Sequence, residues 1–180
     1  MSKSKKIFVV INLVGGLAVL SSYLLCFILY PTDSRSLWGS ASDQVITFFV
    51  ISMFLAATGY ILFTVYLLQG NKLEGSSFGK IFGTKIIHFF YFVVLGCSTI
   101  WMPASIIFSM GENILTEVII RCVLWLVGLA SLGILICIYK ININHGKSNF
   151  ISHMFALLGA MVFTIHTLIL DAVIWPFLYF

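Results

Sequence analysis

"NILTEVIIRCVLWLVGLASLGILICIYK", residues 113–140, decides the fold. Between Asn113 and Lys140 it holds two charged residues, Glu117 and Arg121, in a run that is otherwise uncharged and mostly apolar. The run exceeds the ~20 residues that a helix rising 1.5 Å per residue needs to cross about 30 Å of hydrocarbon. Four more such runs occur at roughly 7–30, 45–69, 86–110 and 151–178. A transmembrane barrel would need segments of about ten residues alternating between apolar and polar faces, and these runs are longer and continuously apolar. The expected fold is an all-α integral membrane protein, a five-transmembrane-helix bundle with short loops forming a single domain over 1–180.

Composition agrees. Of 180 residues 61% are hydrophobic and 9% charged, against about 25% charged in ordinary soluble domains. The net charge of +4 reports topology rather than a polyanionic partner, and no nucleic acid is expected. Lys3, Lys5, Lys6, Lys72, Lys80, Lys85, Lys140 and Lys147 fall on one side of a five-span weave, whereas the first and third connections carry Asp33, Asp43 and Glu112 with Arg35 alone among them. By the positive-inside rule the N-terminus is cytoplasmic and the C-terminus lies on the opposite side. The plasma membrane or a bacterial inner membrane is the expected location.

"MSKSKK" before an apolar run also suits a secretory signal, but the run of about 24 residues exceeds the usual ~7–15, and the nearest small-residue site, "GSA" at 39–41, lies beyond its end. An uncleaved first helix is expected. Cys26, Cys97, Cys122 and Cys137 all fall within apolar runs without a CxxC pair, which points to packing rather than redox or metal chemistry. The short connections imply that consecutive helices are antiparallel neighbours. Ala18 and Ser22, Ser52, Ala56 and Gly59, and Ala156 and Ala160 have the small-residue spacing of close helix contacts.

Ionisable residues inside a span cost at least about 2.5–3.5 kcal/mol at its centre, so they carry most of the functional information. Glu117, Arg121 and Asp171 all map to the outer half. On the 3.6-residue period Glu117, Arg121, Leu124, Gly128 and Ser131 form one stripe, and Ala160, Thr164, Thr167, Asp171 and Trp175 another. Ser98, Trp101, Ser105 and Ser109 form a third, beside Pro103, which removes a backbone hydrogen bond. Together these stripes place a polar, aromatic site between the third, fourth and fifth helices. Trp101 and Trp125 map about 13–17 Å from the outer boundary, where an indole N–H needs a partner. Trp38 and Trp175 fit an interfacial belt. His88, His145 and His153 map to helix ends with no metal-ligand spacing. His166 lies about 140° around an α-helix from Asp171, so no His–Asp pair is expected along one face.

Several chemistries are excluded by what the residues lack. Four histidines are too few for a membrane di-iron site, no lysine sits mid-helix for a retinal Schiff base, and no H-E-x-x-H occurs. No cofactor is implied. Five helices in 180 residues resemble, in architecture alone, the tryptophan-rich sensory and translocator proteins, which bind porphyrins and cholesterol; Trp38, Trp101, Trp125 and Trp175 do not fall into that family's signature. The expected function is binding or passage of a small amphipathic molecule or lipid. Trp101, Glu117, Arg121, Trp125 and Asp171 form the expected site, with Arg121 engaging an anionic or carbonyl group. Glu117 and Arg121 can equally pair along their own helix, and Asp171 can staple helix five to Arg121. A non-catalytic subunit of a larger membrane complex, a homo-oligomer, and a proton- or ion-coupled transporter remain the alternatives.

Overall fold

The computed structural model describes residues 1–31, 36–75, 84–111, 113–141 and 147–180. Asp33, Arg35, Lys80, Glu112 and His145 fall outside them. The described residues form α1 (Lys3–Leu29), α2 (Asp43–Leu68), α3 (Lys85–Met110), α4 (Ile114–Tyr139) and a fifth helix, α5, that begins at Lys147 and runs to Tyr179. A 3₁₀ turn, Ser36–Trp38, precedes α2 and a single helical turn, Lys72–Gly75, follows it. No strand occurs among the described residues. All five helices are long and apolar enough to cross a membrane, which is compatible with a multi-pass membrane protein.

Local chemistry sets the ends. The side chains of Ser2, Ser42 and Asn113 accept from the backbone N–H groups of Lys5, Val45 and Leu115 and so cap α1, α2 and α4. Pro31 follows the last turn of α1 and disfavours helical backbone at Tyr30 before it. Pro103 lies inside α3, which continues through it.

The helices pack in the ring order α1, α3, α4, α5, α2. Adjacency therefore follows side-chain size rather than chain order. Consecutive α3, α4 and α5 are neighbours as expected, but α1 and α2 are not packed along each other, because α2 carries its small residues toward α5. Ala56 is buried on α2, Ala156 and Ala160 on α5, and Gly59 meets Gly159 backbone to backbone. A Cβ on Gly159 would sit 2.8 Å from the Gly59 carbonyl oxygen, closer than packed atoms tolerate. These small residues serve packing within the chain.

Where α1 begins, which we call the lysine end, Phe8, Phe63, Leu67, Ile87 and Tyr91 form a fully buried core. Lys5 donates to the Gly70 carbonyl and Ser4 bonds Thr84, drawing the starts of α1 and α3 together with the end of α2. At the opposite, far end Phe49, Ile120, Leu124, Leu170 and Trp175 form a second core. There the 36–42 segment folds over the bundle. Ser40 donates from its backbone N–H and its hydroxyl to the Leu178 carbonyl, and Gly39 holds φ +49 against the backbone of 178–179, a left-handed conformation suited to glycine. Leu and Phe side chains cover the outward faces: Leu13, Leu24, Phe54, Phe92 and Leu115 are each more than half exposed. An apolar surface of this extent suits lipid, not water.

Candidate functional site

Between the two cores the ring encloses a cavity of about 410 Å³, within the range of small-molecule sites. Its body is apolar, walled by Val94, Leu95, Leu124 and Val127. Most of its polar and aromatic groups lie toward the far end: Tyr23 from α1, Trp38 from the 36–42 segment, Ser98 and Trp101 from α3, and His166, Asp171 and Trp175 from α5; Tyr60 and Phe163 line its other end. The cavity is thus amphipathic along the bundle axis.

The missing α1–α2 packing gives it a side. Leu20, Met53 and Ile61 line the cavity and are also exposed on the outer surface. The cavity therefore opens laterally between α1 and α2. On the lysine side of this opening the Tyr60 hydroxyl donates to Asn12 Oδ1 at 2.6 Å, while Asn12 Nδ2 donates to the Phe8 carbonyl at 2.8 Å. Tyr60 also packs on Tyr91 and Phe163, closing the floor.

The far end is an aromatic cluster. The rings of Tyr23 and Trp101 lie 5.9 Å apart and those of Trp101 and Trp175 lie 5.6 Å apart in an edge-to-face arrangement. Trp175 stacks on Tyr179 at 4.2 Å and donates its indole N–H to the Leu37 carbonyl at 3.1 Å. The Tyr179 hydroxyl in turn donates to the Ser105 carbonyl at 2.5 Å. Trp101 differs: its Nε1–H is buried without a hydrogen-bond partner among the described residues, a condition that costs about 1–3 kcal/mol.

α5 changes winding at this level. Ile165–Ile174 is a π-helix between Lys147–Thr164 and Trp175–Tyr179, and the Trp175 N–H reaches back to the Leu170 carbonyl. Pro176 supplies a reason, since its ring in α geometry would press on the carbonyl four residues earlier. Wider turns bring residues five apart onto one face. His166 Nε2 accordingly lies 3.4 Å from Asp171 Oδ2, and His166 Nδ1 lies 3.0 Å from Ser52 Oγ on α2. The expected separation of His166 from Asp171 is overturned for this reason: it assumed α-helical winding. The clue in the sequence is Pro176, one turn beyond Asp171.

Asp171 has 29% of its side chain exposed, and it lines the cavity. Thr167, also on the wall, donates to Ser131 Oγ at 2.8 Å, joining α5 to α4. The order Ser52, His166, Asp171 has the residue types of a hydrolytic triad. Ser52, however, sits at the α2–α5 contact and is not part of the cavity lining, so its hydroxyl does not face a substrate there.

Of the residues singled out from sequence, Trp101 and Asp171 line this cavity, and Glu117, Arg121 and Trp125 do not. Arg121 Nη2 pairs with Glu117 Oε1 at 2.9 Å, both side chains substantially exposed, and the guanidinium lies 4.4 Å from the Phe180 ring centroid. Among the described residues no ion pair joins Arg121 to Asp171. Trp125 is 46% exposed on the outer face of α4. Trp38 and Trp175 turn inward instead of forming a belt. Tyr23, Trp38 and His166 were missed as site residues; Tyr23 had no signal, lying in a helix whose faces are almost equally apolar.

His88 contacts Ser4, and His153 Nδ1 lies 2.8 Å from the Tyr66 hydroxyl. Among the described residues no cluster of His, Cys, Asp and Glu is arranged to hold a metal ion, and all four cysteines are free. Comparison with protein-family models, curated proteins and solved structures finds no match to this chain.

Proposed function

We propose that this chain is a multi-pass membrane protein that binds or passes a small amphipathic molecule or lipid, taken from the bilayer through the α1–α2 opening into the central cavity. One observation carries the reading: an apolar chamber that opens sideways among exposed apolar residues and ends in an aromatic, hydrogen-bonding cluster. The gathering of Lys5, Lys72 and Lys85 at the lysine end supports a cytoplasmic N-terminus, in a plasma or bacterial inner membrane.

Native mass spectrometry of protein released from its own membrane tests this. The expected result is one bound small molecule or lipid per chain, lost in Ser98→Phe, which fills the cavity from α3. Wild-type protein carrying no bound mass, or a bound mass unaltered by Ser98→Phe in a folded variant, would contradict it.

A further inference from the structure

The charge and the rings lining the cavity select the chemistry of what it holds. Among the described residues, Lys and Arg are absent from its lining, and Asp171 is the single acidic side chain there. Tyr23, Trp38, Trp101 and Trp175 surround the same end, three of them linked ring to ring at 5.6–5.9 Å. Aromatic faces carry negative potential, and Trp gives the strongest cation–π attraction of the side chains.

A neighbouring imidazole does not exhaust the carboxylate. The His166–Asp171 contact of 3.4 Å is longer than the 2.7–2.9 Å of a charge-assisted hydrogen bond, and His166 also contacts Ser52. An ionised carboxylate has about four acceptor sites, and the cavity-facing part of Asp171 keeps some of them open.

We propose that the cavity binds a lipophilic cation, an amphiphile with an ammonium or quaternary ammonium head, with Asp171 as counter-ion and Tyr23, Trp101 and Trp175 as the rings around the head. The apolar body between Leu95 and Val127 takes its chain. This assignment rests on the cavity being a ligand site. It departs from the expectation from the sequence, where Arg121 was to meet an anionic or carbonyl group: the guanidinium lies outside the cavity, and among the described residues the charge within it is a carboxylate. Two sources share the chemistry, a choline-headed membrane lipid and a free lipophilic amine.

The test is titration of the whole protein, in nanodiscs of a neutral, choline-free glycolipid whose surface favours neither charge, with three probes read by tryptophan fluorescence: decyltrimethylammonium, its neutral tert-butyl analogue and decyl sulfate. The expected result is cation affinity about tenfold or more above the neutral probe, with sulfate weakest. Asp171→Asn is expected to bring the cation down to the neutral probe's level while leaving the neutral probe unchanged, which also shows that the variant is folded. Equal binding of the cationic and neutral probes, or a cation preference that survives Asp171→Asn, would overturn the cation assignment and leave the ligand site standing. Binding of no probe would count against both. Repeating the titration in phosphatidylcholine nanodiscs separates the sources: competition by the lipid identifies a choline headgroup, and its absence a free amine.

Discussion

At the scale of single residues, Arg121 and Asp171 show how differently two charges on long apolar helices can be used. Arg121 is exposed, paired within its own helix and stacked on Phe180. An exposed i, i+4 pair contributes about 0.3–0.5 kcal/mol. Arg121→Ala is therefore expected to change unfolding free energy by less than about 1 kcal/mol and to leave bound ligand untouched; a loss of the ligand in native mass spectra would return Arg121 to the site. The sequence marked both charges as exceptional but not which way each pointed, since the period of a helix gives faces only relative to one another. Trp101 was legible as an indole needing a partner, and among the described residues it has none. Tyr23 was not legible: in "AVLSSYLLCF" only Ala18 and Ser22 mark a contact face, and neither marks Tyr23 as turned toward a cavity.

At the scale of elements, contact between α2 and α5 depends on glycine. Gly59 and Gly159 meet where either Cβ would strike the other's backbone, and backbone cannot step aside as a flexible side chain can. Gly59→Ala is expected to cost about 1–3 kcal/mol, the usual range for overpacking, as a lowered thermal midpoint in detergent. Gly96→Ala, with nothing within 4 Å of its Cβ, is expected to be neutral or stabilising by up to about 1 kcal/mol. Equal effects would show that the Gly59–Gly159 crossing is not tight. The five helices themselves were readable from hydropathy, because apolar length alone meets the requirement for crossing hydrocarbon. The winding of α5 was not readable by a fixed 3.6-residue period. Ile165–Ile174 departs from that period and sets His166 beside Asp171.

At the scale of the whole molecule, the ring order α1, α3, α4, α5, α2 leaves one seam unpacked, and the cavity lies behind it. Connection lengths suggested neighbours in chain order, but they limit how far apart helices stand without fixing which faces join; the small residues of α2 and α5 decide that. The central claim is that an amphiphile enters this cavity from the bilayer. Its most direct test is photolabelling in membranes with a trimethylammonium amphiphile carrying a diazirine in its alkyl chain, with adducts mapped by peptide mass spectrometry. The expected adducts lie on cavity residues, Leu20, Met53, Leu95 and Val127, and fall away in Ser98→Phe. Adducts confined to outward residues such as Leu13, Phe54 and Trp125, unchanged by Ser98→Phe, would contradict the account.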